Sequence, residues 1–417
     1  MASATLGKQA ASLVSTLLKE GTDVADFIPF ALPDIGDAEI EAVVTTMRSG
    51  WLTTGPNAAA LESEFVDALA PSVHMRDAHV QAVGVNSATA GLHLALEALG
   101  IGPGDEVIVP TWTFTATAEV VRYLGATPVL VDVDPDTLAI DLDLAAEAIT
   151  SRTKAVMPVH FAGLPVPRTA LADFATKHGL RVIEDAAHSH PVDSEGIPVG
   201  LGGSDAVVFS FYATKTMTCG EGGMVVSADP SLVARMRTMR LHGISRDVFN
   251  RYTSTAPSWH YEVVAPGFKY NLTDVAASMA RVQLGRSVAM RERRSSIAAR
   301  YDEALADLPV RLPARPVDAG TQHAWHLYVL RITQAAPMGR DEFIQQMADA
   351  GVGCSVHFIP LHHHPYWREL RGPNAPSLRV ADAQFESAVS IPIFSSMTDD
   401  QVARVAETVR TVLGGRS

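Results

Sequence analysis

Two residues near the middle of the chain carry the most chemistry. Lys215 closes the stretch Phe209-Ser210-Phe211-Tyr212-Ala213-Thr214-Lys215, in an apolar, Thr- and Gly-rich setting that runs on to Gly223. Desolvation there lowers the pKa of an amine toward a usable nucleophile, one able to form a Schiff base with a carbonyl. Upstream, an apolar run ends in Glu184-Asp185-Ala186-Ala187-His188. A carboxylate in that place can hold a ring nitrogen protonated and keep the ring electron-poor. Singly, each residue has an ordinary explanation: most lysines are solvated, and a strand-end carboxylate is often a helix cap or half of an ion pair. Their value lies in arriving together from neighbouring strand ends.

The elements that must position them can be read from periodicity. Short apolar, β-branched runs at Ala82–Val85, Glu106–Val109, Thr127–Val131, Ala155–Val159, Arg181–Ile183, Ala206–Phe209 and Met224–Ser227 alternate with helical patterns. This predicts an α/β fold with an open, largely parallel sheet between helices, whose ligands bind beyond the carboxyl ends of the strands. Ser87, Phe114, His160, Asp185 and Ser210 all fall just after such runs. Farther on, a helical pattern around Leu272–Leu284, the basic Arg291-Glu292-Arg293-Arg294 segment, a strand at His326–Ile332 and a helix at Asp341–Ala350 indicate a second lobe. The division is an N-terminal extension over 1–28, a large domain over 29–289 and a small α+β domain over 290–417.

Asn86-Ser87-Ala88-Thr89-Ala90-Gly91 lies between a strand and a helix whose leucines at 92, 96 and 99 recur at helical spacing. Small residues and hydroxyls that open a helix expose free N–H groups, so an anion such as a phosphate can dock on Ala88 and Thr89. Alone, an ordinary Ser/Thr N-cap is the better reading. Ser210 can add a hydroxyl, and Phe114 can lie flat on a ring, although core packing explains it equally well. A phosphate, a ring with a protonated nitrogen and an aldehyde for Lys215 together describe pyridoxal 5'-phosphate, PLP.

Composition narrows the field. The 417 residues are 47% hydrophobic with a mean hydropathy of +0.12, enough for a substantial core. A net charge of -13 argues against nucleic acid as a partner. Cys219 and Cys354 are the only cysteines, which leaves no disulfide framework or thiolate metal cluster. No apolar run approaches a membrane span, no secretory pattern opens the chain, and a cytoplasmic protein is expected. His362-His363-His364 with His357 invites a metal reading, but adjacent histidines on an irregular strand point apart and no acidic ligand stands nearby in sequence, so no metal is expected. Arg235, Arg237, Arg240 and Arg246 have the spacing of a solvated helix face; Arg246 is the one most open to a nucleotide diphosphate.

These motifs resemble the sugar aminotransferases of the DegT/StrS type, in fold type I of the PLP enzymes. The similarity spans almost the whole chain. It runs from Pro29-Phe30 and Ser49-Gly50-Trp51-Leu52-Thr53-Thr54-Gly55-Pro56 to Ile391-Pro392-Ile393-Phe394 and Met397-Thr398. Between them lie Ile183 to His188, Phe209 to Phe211 with Lys215, Gly220-Glu221-Gly222-Gly223, Gly267-Phe268-Lys269-Tyr270-Asn271 and His323-Ala324-Trp325-His326-Leu327-Tyr328.

The resemblance implies a seven-stranded, mainly parallel sheet and a ping-pong transamination through pyridoxamine 5'-phosphate, with Lys215 as Schiff-base lysine and proton carrier. It places Asp185 on the pyridine nitrogen, Phe114 on the ring, and Ser87, Ala88, Thr89 and Ser210 around the phosphate. His188, where glutamine is commoner, falls beside the phenolic oxygen, and Asn271 reaches the phosphate of a neighbouring subunit, so a homodimer with shared sites is implied. Trp51, Thr53, His160, His357 and His362 line the sugar pocket. The implied donor is L-glutamate and the acceptor a nucleotide-linked 4-keto-6-deoxyhexose; a 3-keto sugar, a keto-cyclitol, a dehydratase or lyase reaction and a non-catalytic regulator are the alternatives. Ala88 in place of glycine is expected to crowd the phosphate turn, while Pro191 and an enlarged Pro71–Gln81 loop bear on substrate details.

Overall fold

The computed structural model of the chain describes residues 27–69, 79–244 and 261–414. Helices α1 (Asp37–Ser49) and α2 (Pro56–Leu69) precede β1 (Gln81–Val85). Strand and helix then alternate through α3 (Ala88–Ala98), β2 (Glu106–Pro110), α4 (Ala116–Tyr123), β3 (Thr127–Val131), α5 (Leu142–Glu147), β4 (Thr153–Val156), α6 (Arg168–His178) and β5 (Arg181–Asp185). A small hairpin, β6 (Asp193–Ser194) and β7 (Ile197–Pro198), leads to β8 (Ala206–Ser210), β9 (Gly223–Ser227) and α7 (Pro230–Met239). Each apolar run read from the sequence is a strand. The fourth stops at Val156, short of the expected Val159, because Pro158 has no N–H to continue the ladder.

The seven strands lie in the order β1-β9-β8-β5-β4-β2-β3. β9 alone runs antiparallel to both of its neighbours. Successive side chains point to opposite faces, and each face has its own cover. Val107 and Val109 join a core with Leu92 and Leu96 of α3 and Met236 of α7. Ile108 between them packs with Leu171 and Phe174 of α6. At the other end of the sheet, Val207 and Phe209 pack on Leu61 and Phe65 of α2, while Val208 faces the α3 side. A sheet buried on both faces has only its strand ends free for chemistry.

The C-terminal part comprises α8 (Asp274–Leu305), β10 (Val310–Arg311), β11 (Tyr328–Ile332), α9 (Arg340–Asp349), α10 (Pro365–Arg371), α11 (Arg379–Phe385), β12 (Ala388–Ile391) and α12 (Asp399–Val412). Its antiparallel sheet, β10-β11-β12, has a separate core that includes Tyr301, Tyr328, Phe343, Ile391 and Val405. The helical pattern near residue 280 and the basic segment after it belong to one 32-residue helix, α8, which runs unbroken through 289–290. Its Asp274 carboxylate accepts the Gly55, Asn57 and Ala58 N–H groups and so caps α2. β11 starts two residues later than expected: Trp325 has a positive φ, and the buried Arg294 of α8 donates to the carbonyls of Trp325, His326 and Ile393. Among the described residues no helix is long and apolar enough to cross a membrane. Most of the N-terminal extension, most of the Pro71–Gln81 loop and Arg246 lie outside the described residues.

Candidate active site

One edge of the large sheet gathers the reactive groups. β5 and β8 are parallel neighbours, with Asp185 opposite Val208, so their carboxyl ends deliver Asp185 and Ser210 side by side. β9 starts at that same edge, where Gly223 pairs with both Ser210 and Val85. The loop from β8 to β9 is closed by Phe211 N–H on Gly222 O at 2.9 Å and Cys219 N–H on Phe211 O at 3.0 Å. Lys215 sits on this loop with Nζ 3.4 Å from His326 Nε2. Burial lowers its pKa from 10.5 to about 8, against the opposing pull of the Asp185 carboxylate.

Burial pushes the Asp185 carboxyl above its ordinary value. Several groups resist that shift and favour the ionised form. Thr117 Oγ1 donates to Oδ2 at 2.8 Å, Ala187 N–H donates to Oδ1 at 3.1 Å, and the Lys215 cation adds its field. Thr117 is in turn hydrogen-bonded to Thr113 at 2.8 Å, within a buried pair of hydroxyls. His160 is fully buried behind Asp185; its Nδ1 accepts Val166 N–H and its Nε2 lies 2.8 Å from Glu184 Oε2.

Aromatic rings close the chamber around Lys215. His188 lies 4.2 Å from His326, centroid to centroid, and stacks on Phe358 at 5.9 Å; Phe114 meets Phe358 at 6.0 Å. Burial, reinforced by the Lys215 charge, holds His188 and His326 well below the usual imidazole range and His357 at about 4. The three rings are neutral at pH 7. Among the described residues, Nδ1 of His188 and Nδ1 of His326 are buried without a hydrogen-bond partner, an arrangement expected where a polar group is to be received.

The helix that opens at Ala88 supplies an anion site. Ser87 is its N-cap, accepting Ala90 N–H, while among the described residues the N–H groups of Ala88 and Thr89 meet no acceptor. A Cβ on Gly223 would fall 2.9 Å from Ala88 N and 2.8 Å from Phe209 O, so glycine lets β9 approach the turn. Ala88 itself takes no left-handed conformation. Two free N–H groups, the Ser210 hydroxyl, the Asp185 carboxylate, the buried amine and the half-exposed face of Phe114 fit PLP as a set.

Residues 33–410 match the model of the DegT/DnrJ/EryC1/StrS aminotransferase family. The chain belongs to this aminotransferase family. It is 44% identical over 391 residues to the spore coat polysaccharide biosynthesis protein SpsC of Bacillus subtilis, covering 93% of this chain and 98% of that protein. The fold matches a Streptococcus pneumoniae protein described as a sugar aminotransferase, solved in PMP form, with TM-score 0.84 and 34% identity over 93% of this chain and 99% of that one. The same protein is also solved in a PLP form. DesV of S. venezuelae, solved with a ketimine intermediate, matches with TM-score 0.80 and 33% identity over 94% of this chain and 100% of that one. The chain is thus a PLP-dependent sugar aminotransferase of fold type I.

Other sequence-predicted residues of this aminotransferase gather elsewhere. Trp51 Nε1 donates to Thr54 O, and Asn271 Nδ2 donates to Thr54 Oγ1 at 2.7 Å. Thr53 and Asn271 line a cleft of about 720 Å³ with Glu62, Arg237 and Arg240. Both arginines pair with Glu62 and Arg235 pairs with Glu97; Arg235 and Arg237 stay open to solvent, as their spacing suggests, while Arg240 is largely covered. The histidine run also departs from expectation. Leu361–His363 is a 3-10 turn rather than a strand, and His362 and His363 converge on Asp382 Oδ1 at 2.8 and 2.6 Å. His362 Nδ1 is 2.7 Å from Thr111 Oγ1. His357 Nδ1 is 3.0 Å from Ser390 Oγ, and its carbonyl accepts Trp112 Nε1–H. Sequence reasoning assigned no role to Thr113, Thr117, His326 as an individual residue, or Asp382. Only the His323–Tyr328 motif held a signal for any of them.

Proposed function

We propose that this aminotransferase moves an amino group from L-glutamate to carbon 4 of a nucleotide-linked 4-keto-6-deoxyhexose, acting as a cytoplasmic homodimer with shared active sites. The observation that carries the transamination is Lys215: a buried amine with a pKa of about 8, beside a buried carboxylate that accepts two hydrogen bonds. Ala88, Thr89 and Ser210 would hold the PLP phosphate, Asp185 its ring nitrogen, Phe114 its face and Lys215 its aldehyde carbon. When bound, PLP supplies an electron sink for the charge left on a carbon that loses its proton.

The residues do the rest. Near pH 8 a substantial fraction of Lys215 is neutral, so Nζ can take the proton from the donor's α-carbon and return it as ammonium. Asp185 holds a negative charge that would keep the sink's ring nitrogen protonated and positive. The neutral rings of His188, His326 and His357, with Phe114 and Phe358, keep bulk water from the carbon that exchanges its proton. Support for a sugar acceptor comes from the family and from the Pro158–Gly163 and Gly267–Asn271 stretches, which most resemble the members that aminate carbon 4. Support for the dimer comes from Met47 and Leu52, large apolar residues exposed by 58% and 52%, Leu52 adjoining Thr53 of the cleft that Asn271 lines.

The test begins with the visible spectrum of the PLP-loaded protein on adding L-glutamate alone. Bleaching of the yellow band is expected. The resulting amino form is then offered nucleotide-linked 4-keto and 3-keto sugars and a keto-cyclitol, with mass spectrometry reading the exchange of ketone for amine. A band that persists with L-glutamate overturns the donor, and preferred conversion of a 3-keto sugar or cyclitol overturns the acceptor. Sedimentation of the loaded protein as a monomer would overturn the shared site.

A further inference from the structure

We infer that His362, His363 and Asp382 form a binding site for a divalent transition-metal cation, of the zinc or nickel kind, distinct from the chamber around Lys215. The histidines lie on the 3-10 turn before α10, and Asp382 lies on α11. One ligand atom from each residue falls within 4.8 Å of the other two. Both Nε2 atoms approach the same carboxylate oxygen, Oδ1, at 2.8 and 2.6 Å. Two imidazoles and one carboxylate converging on a single point make a three-ligand set with an open fourth position. Zinc bonds of about 2.0–2.2 Å hold tetrahedral ligand atoms roughly 3.3 Å apart. The two contacts with Oδ1 need widen by only about 0.5 and 0.7 Å to admit the ion.

The surroundings fit that use. His362 Nδ1 lies 2.7 Å from Thr111 Oγ1, a hydroxyl that can accept Nδ1–H and leave Nε2 free as a ligand. The His362 side chain is 10% exposed, His363 33% and Asp382 48%, a gradient that gives the ion a route in from solvent. Two nitrogen ligands favour zinc, nickel or copper over magnesium or calcium. The Arg371 guanidinium feels the charge of Asp382 and of Asp132, which makes the site weaker than a closed structural one. Leu361 N–H also donates to Thr111 O at 2.8 Å, so the ion would brace the turn against the loop that carries Phe114.

The test uses tag-free, PLP-loaded protein stripped with a chelator and titrated with Zn²⁺ against a chromophoric competitor. Wild type is expected to take one equivalent with an affinity at least about tenfold above that of His363→Ala and Asp382→Asn. His364→Ala, which alters a neighbour making no contact with Asp382, should bind like wild type. Zn²⁺ should raise the melting temperature of wild type but not of His363→Ala, and Mg²⁺ should do neither. His363→Ala removes a partly exposed ring, so the comparison survives if Asp382→Asn fails to fold. Equal affinity in wild type and His363→Ala, or equal loss in His364→Ala, would overturn the assignment.

Discussion

Thr117→Val exchanges one hydroxyl for a methyl of nearly the same size inside the buried Thr113–Thr117–Asp185 chain. The lost bond ends on a carboxylate, and hydrogen bonds to charged groups contribute about 1.5–3 kcal/mol. One pKa unit corresponds to about 1.36 kcal/mol, so the Asp185 carboxyl should rise by roughly one to two further units. Ala187 N–H and the field of Lys215 remain to oppose burial, which sets the upper end of that range. The assay is the rate of bleaching with saturating L-glutamate across pH, in wild type, Thr117→Val and Thr117→Ser. Ionised Asp185 is the active form, so raising its pKa moves the acid limb of the profile to higher pH by about one to two units, and serine restores it. The stability lost in the cofactor-free variant follows the same sign: it is largest above the folded pKa and shrinks as pH falls through it. An unmoved acid limb with unchanged PLP affinity would refute the argument that Thr117 sets the charge of Asp185.

Four further outcomes are expected. In cofactor-free protein, acylation of Lys215 by an amine reagent, followed by peptide mass mapping, should rise through pH 8 and level off above it; a profile like that of exposed lysines would show that burial does not set its pKa. Lys215→Ala should melt like wild type yet show no bleaching with L-glutamate, and an active variant would remove the lysine from the mechanism. Gly223→Ala places a Cβ 2.9 Å from Ala88 N and 2.8 Å from Phe209 O. Overpacking of about 1–3 kcal/mol should lower the melting temperature and loosen PLP during dialysis; unchanged retention would show that the turn can yield. Arg294→Met strips three carbonyls of a buried donor and should cost about 2–4 kcal/mol in denaturant unfolding.

The sheet was legible because buried strands and their crossover helices impose opposite periodicities, and the chain keeps both. Ser87, Asp185 and Ser210 were legible as strand-end residues because a parallel sheet leaves few other places for polar groups to meet. Thr117 was not, since a threonine within an apolar helix reads as core until its neighbour across the fold is known. Asp382 stands 20 and 19 residues from its histidines, and no local pattern announces a carboxylate brought back by a helix. The partners of the arginines on α7 were hidden for the related reason that Glu62 and Glu97 come from other elements. The continuity of α8 was hidden by its mixed faces, since it serves both cores and shows no single apolar stripe.

The rung between Ser210 and Gly223 has a kinetic consequence. It joins the two ends of the Lys215 loop at neighbouring strands of one sheet, and the Phe211–Gly222 bond doubles the closure. The lysine is therefore tethered in the same small volume whether its amine is bonded to a partner or free. Each return of Nζ is an encounter inside a fixed cage, at an effective concentration set by side-chain rotation alone. An amine that must let go and come back once in every cycle does so without a loop having to refold.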